Sequence, residues 1–444
     1  MTSSHEISCD LVVIGAGMAG MAATLFASSR GIDTVQIGIA SEIIFASGLL
    51  DLLGVHPVEA GKTWDDPWNA VAALTRDLPK HPYAKIDPKD MRDGFNEFVS
   101  FMTRSGLPYH CNPDRNVRVI TPLGTAKRTF CVPHTMKNNV VALEKKPPCV
   151  MIDIRGLRGY SSRQIAETLS HDWPKLRSAT ISFPNTEHLQ EVYTEFMARS
   201  LANPATRIAL SERIKPHIKN AQTVGLPAIL GMYRTQEILS DLEKQIGLPL
   251  FEIPTMPPSI PGLRIKELFE SHLPQTGARL LYQHRVLRVL RKKDSFKLYL
   301  DDSRDGLTLR ANGIILASGR FIGKGLRADR TRIRESIFDL PVCQPAERDL
   351  WHRFRFLDPS GHQINRAGIQ VDAFFRPLDD KGKPAIETLF AAGSILAHQD
   401  WMRMKCGSGL AIATAYAAVQ NYRTRFSFRT SRAGRRSEFR CRAS

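Results

Sequence analysis

The chain has little of what a membrane span, a metal centre or a disulfide scaffold would need. No apolar run in its 444 residues approaches the roughly 18 that a membrane helix takes, which excludes a helical span. Its seven cysteines, Cys9, Cys111, Cys131, Cys149, Cys343, Cys406 and Cys441, are scattered, without Cys-x-x-Cys or Cys/His pairing at zinc spacing. A protein-bound iron–sulfur cluster takes about four clustered thiolates, so neither a cluster nor another metal is expected. An odd cysteine count in a reducing compartment predicts free, buried thiols. The first ten residues carry no basic region ahead of the apolar stretch, so a signal peptide is not expected and a cytoplasmic location is. Internal repeats, a Ser/His/Asp arrangement and paired carboxylates are all absent from the pattern.

Acid is scarce relative to base: 61 Lys and Arg against 44 Asp and Glu give a net charge of +17. Residues 423–444 hold eight arginines against Glu438 alone, so +7 of that charge lies in the last stretch. The stretch has neither helical nor strand periodicity and reads as a basic disordered tail, of a kind that can attach to anionic membrane. Without a recognition motif or an aromatic-interleaved basic strand, nucleic acid is not an expected partner. At 43% apolar and 24% charged, the chain as a whole is globular and long enough for two domains.

What is present begins at Leu11-Val-Val-Ile14, a β-branched apolar run that reads as a central parallel strand. It enters Gly15-x-Gly17-x-x-Gly20, and an apolar helix follows from Met18 to Ser29. Gly15 permits the tight turn, Gly17 lets a phosphate approach, and Gly20 lets helix and strand pack closely, so that free helix N–H groups face an anion. A full dinucleotide fingerprint would end the second strand, Ile32 to Ile37, with an acid for the adenosine ribose. Here the strand carries Gln36, and Glu42 lies several residues beyond.

Further along, Ala46-Ser47-Gly48 permits close backbone approach. A helical, Pro-punctuated stretch contains His81, and Val117 to Thr125 reads as strand, turn and strand. From about Arg158 to Leu280 amphipathic helices alternate with short apolar strands such as Ala228 to Gly231. This region includes a segment, Pro254 to Arg264, whose four prolines within eight residues predict a rigid extended linker. Then the first pattern returns. Gly313 to Gly319 is a buried strand ending in Ala-Ser-Gly, Thr388 to Ser394 a second, and Gly407-Ser408-Gly409 opens an Ala-rich helix to Tyr422. The expected fold is α/β, a Rossmann-like FAD/NAD(P)-binding flavoprotein fold with an inserted second domain. Its expected parts are 1–157 and 281–422 for the flavin, 158–280 as an insertion, and 423–444 as the tail. Gly15, Gly17, Gly20, Ser47, Gly48, Gly319, Gly393, Ser394, Gly407, Ser408 and Gly409 would converge beyond the carboxyl ends of the strands to hold a cofactor.

Several stretches resemble the B-subunit family of anaerobic glycerol-3-phosphate dehydrogenase. They are Ser47-Gly-Leu-Leu-Asp51-Leu-Leu, His81-Pro-Tyr83, Thr121-Pro-Leu-Gly-Thr125, Pro254-Thr-Met-Pro-Pro258-Ser-Ile-Pro-Gly262-Leu-Arg264, Ala317-Ser-Gly319-x-Phe321, Arg334-Glu335 and Leu389-Phe-Ala-Ala-Gly393-Ser394. The likeness spans about residues 9 to 421. It implies a flavin subunit with FMN, working beside a catalytic A subunit and an iron–sulfur, membrane-anchoring C subunit. Together these oxidise sn-glycerol 3-phosphate to glycerone phosphate and pass electrons to quinone in anaerobic respiration. The chain itself would be cytoplasmic and peripherally attached to the inner membrane through its partners. The missing acid agrees with FMN; the Gly15–Gly20 turn serves an FAD pyrophosphate in most relatives of this fold, so FAD is the alternative. Ser394 stands where many such flavoproteins place an Asp.

Arg264, Arg320, Lys324 and Arg327 are candidates for gripping a phosphate, against a solvated basic face. His81 and His398 are candidates for moving a proton, against structural histidines. Rival readings are an FAD-linked dehydrogenase of succinate/fumarate type and a non-catalytic electron-transfer or scaffold subunit.

Overall fold

The computed structural model describes residues 6–39, 42–293, 295–300 and 306–440, with residues 427–440 as backbone alone. Strand β1 (Glu6–Ile14) lies inside a seven-stranded sheet, flanked in parallel by β2 (Thr34–Gly38) and by the strand Thr308–Leu316. Its core residues Leu11, Val12 and Val13 are fully buried because both faces of the sheet are covered. Strand Arg279–Tyr282 extends the sheet beyond β2. Leu389–Ala391 pairs in parallel with Thr308–Leu316, and Val286–Arg291 and Phe296–Leu300 add an antiparallel edge. Helix α1 (Met18–Ser28) is buried along nearly its whole length, since its Ala and Gly residues let it nest between the sheet and the helix Gly407–Arg440. A Cβ on Gly313 would sit 2.4 Å from the Tyr422 ring, so that glycine sets how closely the long helix crosses the sheet.

A second, all-parallel sheet runs Leu250–Ile253, Thr223–Pro227, Cys149–Ile154, Leu176–Ile181, around its own core of Val150, Ile152, Leu226 and Leu242. The insertion therefore differs from the expected 158–280 at both ends. Cys149–Ile154 pairs with this second sheet, whereas Arg279 and Leu280 pair with β2 in the first. The helix Ile260–His272 also contributes Ile265, Leu268 and Phe269 to the first core. Strand Thr223–Pro227 precedes Ala228–Gly231, which turns away from it.

Three other expectations are corrected. The proline-rich segment is a linker only as far as Ser259, and the helix begins at Ile260 rather than at Arg264: Ser259 is the N-cap, its Oγ accepting from the Gly262 N–H at 3.2 Å, and Pro261 occupies the first turn where no N–H is needed. Arg264 thus lies inside a helix. The expected disordered tail continues the last helix to Arg440; residues 441–444 lie outside the described residues. The packed segment ahead of it supplies the costly nucleus, and Tyr422 against Phe426, at 4.4 Å between centroids, extends the contact one turn further. Finally, Cys111 and Cys131 are joined in a disulfide rather than free, because they face each other across an antiparallel pair of short strands. Cys9, Cys149 and Cys406 are free and buried, as expected, and Cys343 is free and half-buried. Among the described residues, no helix is long and apolar enough to cross a membrane.

Candidate functional site

The turn after β1 closes as its spacing demands. Gly15 has φ +135° and donates its N–H to Ile37 O at 2.7 Å; a Cβ there would lie 2.1 Å from Ala317 O. A Cβ on Gly20 would lie 1.9 Å from Gly15 O, so helix and strand touch. Gly17 is the N-cap of α1, with no side chain capping the helix and open space where a Cβ would stand. The first-turn N–H groups are thereby offered to an anion. Gln36 has a supporting role: its side-chain amide donates to Gly15 O at 2.9 Å.

Two more expected residues meet this turn. Gly393 has φ +80°, donates its N–H to Thr414 Oγ1 at 2.8 Å and packs on Ala19, where a Cβ would sit 2.5 Å from the alanine Cβ. Gly319 has φ +70°, and its missing Cβ would lie 3.9 Å from Ser394 Oγ and 3.7 Å from Glu42 Oε1. Glu42 is an acid that its position beyond the second strand gave no reason to place here. The chain turns after β2 and brings it back to the strand ends, where it accepts from the Gly323 N–H; burial raises its carboxyl above the ordinary range despite that bond. The Ser318 hydroxyl beside it is buried without a partner. A carboxylate, an unpartnered hydroxyl and uncapped helix N–H groups suit the sugar and phosphates of a flavin nucleotide.

The remaining expected residues form an adjoining group. Gly48 (φ +79°) is pressed against Pro133 and Pro261, and its carbonyl accepts from Tyr109 OH at 2.8 Å. Ser47 lies beside it on the same segment, which runs from Glu42 to Asp51. At the start of the long helix, Ser408 Oγ accepts from the Asp51 N–H at 2.6 Å, and the Gly409 N–H donates to Asp51 O at 2.7 Å. The expected presentation of free N–H groups at Gly407, Ser408 and Gly409 is corrected to that extent: the Gly409 donor is already used. Gly407 packs against the Trp401 ring.

The catalytic candidates part company. Arg264 is sealed in the core: Nη1 and Nη2 hold Glu252 at 2.7 and 2.8 Å, and Nε donates to Gly231 O at 2.7 Å. With its side chain 1% exposed it lies out of a ligand's reach, so its expected phosphate or catalytic role is corrected to a structural one. His81 is fully buried, its Nδ1 accepting from Tyr83 N–H at 3.1 Å; burial pushes its pKa down to about 3, which keeps it neutral. That depth removes it from proton transfer with solvent or substrate. His398 differs. It lines a cavity of about 370 Å³ with Arg353, Arg366, His362 and Glu59, and its Nε2 accepts from the Gln370 amide at 2.9 Å. Burial, then Lys80 and Lys85, lower its pKa, so it is an unprotonated base near neutrality. Arg320 spends its Nη groups on the carbonyls of Ile364 and Asn365, while Lys324 and Arg327 are exposed.

Fold and crevice together define a nucleotide-binding flavoprotein. The chain matches the family model described as FAD binding domain over residues 10–410, and belongs to that class. Within it, the chain is 32% identical over 426 residues to the B subunit of anaerobic glycerol-3-phosphate dehydrogenase from Vibrio vulnificus (strain YJ016), covering 93% of this chain and 96% of that one. It is 29% identical to the same subunit of Pasteurella multocida (strain Pm70), over 93% of this chain and 98% of that one. The chain belongs to the B-subunit family of anaerobic glycerol-3-phosphate dehydrogenase, as the resemblance implied. Among solved structures, the open conformation of a flavocytochrome c3 fumarate reductase is similar with a TM-score of 0.42 at 10% identity, covering 95% of this chain and 78% of that one.

Proposed function

We propose that this chain is the flavin-carrying subunit of a multi-subunit complex that oxidises sn-glycerol 3-phosphate to glycerone phosphate and passes the electrons toward quinone. The observation that carries the reading is a nucleotide crevice at the strand ends, with Gly15, Gly17 and Gly20 opening α1, in a chain that matches the B subunit of that dehydrogenase along nearly its whole length. Its partners in this reading are a catalytic A subunit and an iron–sulfur C subunit at the membrane, which provides the peripheral attachment.

The flavin is FAD in this reading, rather than the FMN expected from the absent strand-end acid. The family model is an FAD-binding one, and Glu42, returned to the crevice beside Gly319, supplies a carboxylate for a ribose. When bound, the flavin supplies two-electron acceptance from the alcohol and stepwise release to the next carrier. The chain's own residues do the rest. Gly17 and the α1 N-terminus hold the phosphates, Gly319 and Ser394 line the nucleotide, and Ser47, Gly48, Gly407, Ser408 and Gly409 shape the adjoining wall. His398 accepts the proton leaving the C2 hydroxyl. The first sheet and the second form a flavin domain and an inserted domain.

The test is to purify the complex, assay reduction of a quinone analogue with sn-glycerol 3-phosphate, and identify the flavin that acid releases from this chain. Turnover with FAD supports the reading whole. Turnover with FMN returns Glu42 to a structural role, and a colourless, inactive complex overturns the reading in favour of a scaffold.

A further inference from the structure

We propose that residues 351–357 form a finger that inserts into the headgroup region of an anionic lipid bilayer. The chain would then have a membrane contact of its own, separate from any partner subunit.

The finger, Trp351-His-Arg-Phe-Arg-Phe-Leu357, turns apolar side chains outward. Phe354 is fully exposed, and Phe356 and Leu357 are 86% and 82% exposed, although the chain has a large core that could have taken them. A fixed frame holds them out. The His362 ring clips the finger on both sides: Nδ1 accepts from the Arg353 N–H at 3.0 Å, and Nε2 donates to Phe356 O at 2.9 Å. At one foot Trp351 is buried, its carbonyl accepting from the Ile364 N–H at 3.1 Å and its ring lying 5.0 Å from the Arg348 guanidinium. At the other foot the Asp358 N–H donates to Arg355 O at 3.1 Å, and the Asp358 carboxylate accepts from the Ser360 N–H at 2.9 Å. Apolar side chains framed in this way mark a surface that meets another one.

Two observations point to lipid as that other surface. First, charge and apolar area are interleaved: Arg353 and Arg355 alternate with Phe354 and Phe356, and no acid lies between Trp351 and Leu357. A protein interface gathers apolar area in a core depleted of charge. The boundary between acyl chains and headgroups takes both at once, with rings among the chains and guanidinium groups on lipid phosphates.

Second, the surface beside the finger is cationic. Arg348 Nη1 donates to Asp329 O at 2.9 Å, which joins the finger's base to the antiparallel pair Leu326–Ala328 and Ile333–Glu335. Arg327, Arg330, Arg332 and Arg334 are exposed there. The acids nearby are partly spent. Asp329 faces Arg334 at 3.5 Å, and Glu335 is buried, accepting from the N–H groups of Ile337 and Phe338. Asp358 faces Arg353 at 3.9 Å, and Glu347 and Asp349 stand at the finger's base, away from its tip in sequence. Among the described residues, Arg327, Arg330, Arg332 and Arg355 have no carboxylate partner. Anionic headgroups supply that counter-charge. A second copy of this chain, itself at +17, would bring like charge instead.

The full chain with its flavin is sedimented with vesicles of phosphatidylcholine alone, and of phosphatidylcholine mixed with phosphatidylglycerol, at low and high salt. The wild type is expected to bind the anionic vesicles and to release as salt rises. The triple variant Phe354→Ser, Phe356→Ser, Leu357→Ser should bind about tenfold or more weakly, with melting temperature and flavin content unchanged. Arg330→Gln with Arg332→Gln should weaken binding about fivefold or more. Phe354→Trp reads insertion directly, since its added emission should shift to the blue on anionic vesicles. A wild type that ignores both vesicles, a triple variant that binds as well as the wild type, or an unshifted emission overturns the proposal. So does binding that is lost when the six arginines of residues 427–444 become Gln but is kept in the triple variant, which would assign the lipid to the tail. A wild type that ignores vesicles but dimerises, and becomes monomeric in the triple variant, overturns it in favour of a second copy. None of these readouts uses turnover, so their failure is distinct from failure of the glycerol-phosphate reading.

Discussion

Glu252 and Arg264 are locked in a bidentate ion pair whose side chains are 0% and 1% exposed. The carboxylate also accepts from Thr135 Oγ1 at 2.5 Å and Leu230 N at 2.6 Å, so strand Leu250–Ile253, helix Ile260–His272 and the turn at Leu230 are tied at one point. Burial alone would raise the Glu252 carboxyl, but Arg264 and the hydrogen bonds bring it below the ordinary range. Breaking such a pair strands a buried charge and costs about 3–5 kcal/mol, whereas replacing both ends by apolar groups is often near neutral. Arg264→Ala is expected to lose that stability in denaturant melts at pH 7, and Arg264→Met with Glu252→Met to recover most of it. A folded Arg264→Ala with wild-type stability and a raised KM would return the arginine to the substrate.

His81 sets a pH dependence whose sign follows from its burial. The folded pKa of about 3 lies below the unfolded value of about 6.5, so between them the unfolded chain binds a proton that the folded chain refuses. Stability is therefore complete above pH of about 6.5 and falls as the pH drops, by about 2 kcal/mol at pH 5. His81→Asn, which keeps an acceptor for the Tyr83 N–H without the titration, should flatten that slope in melts between pH 5 and 7. An unchanged slope would place the titrating group elsewhere.

The glycines of the first turn separate binding from folding. Gly20→Ala puts a methyl 1.9 Å from a backbone oxygen and should lower the melting temperature as well as flavin content. Gly17→Ala meets nothing within 4 Å and its φ is −81°, so the fold should accept it. Only a phosphate seated on the α1 N-terminus would feel that methyl. Flavin lost on dialysis with an unchanged melting temperature is the expected outcome; retained flavin would move the phosphates away from α1.

The β1 turn is legible in the sequence because a doubly buried strand and its glycines impose a local pattern, and the partner strands ending at Gly319 and Gly393 repeat it. The proline-rich segment misleads because prolines argue for extension only when no cap precedes them; Ser259 supplies the cap, and Arg264 moves into the core as a result. Glu42 and the Asp51 link to Ser408 depend on where the chain turns after β2, and on contacts spanning 357 residues, which no local spacing encodes. Arg264 has the look of a phosphate ligand because nothing in the sequence reveals that Glu252 is buried opposite it.

The disulfide gives the last prediction. Cys111 and Cys131 lie opposite each other in the pairing of Tyr109–Cys111 with Cys131–Pro133, 20 residues apart in sequence. Both strands touch the segment Gly48–Leu50, proposed above to wall the flavin: Tyr109 bonds Gly48 O, and Cys131 exchanges backbone bonds with Leu50, N to O at 3.0 Å each way. Closing a loop of this length removes about 3 kcal/mol of unfolded-state entropy. Denatured without reductant, the protein should therefore titrate two fewer thiols than its seven cysteines after reduction. The double variant Cys111→Ser, Cys131→Ser should lose about 3 kcal/mol in denaturant melts. It should also release flavin more readily, since the wall around Gly48 is less firmly held. Titration of all seven thiols in the unreduced protein would instead return these two cysteines to the free state expected of a reducing compartment.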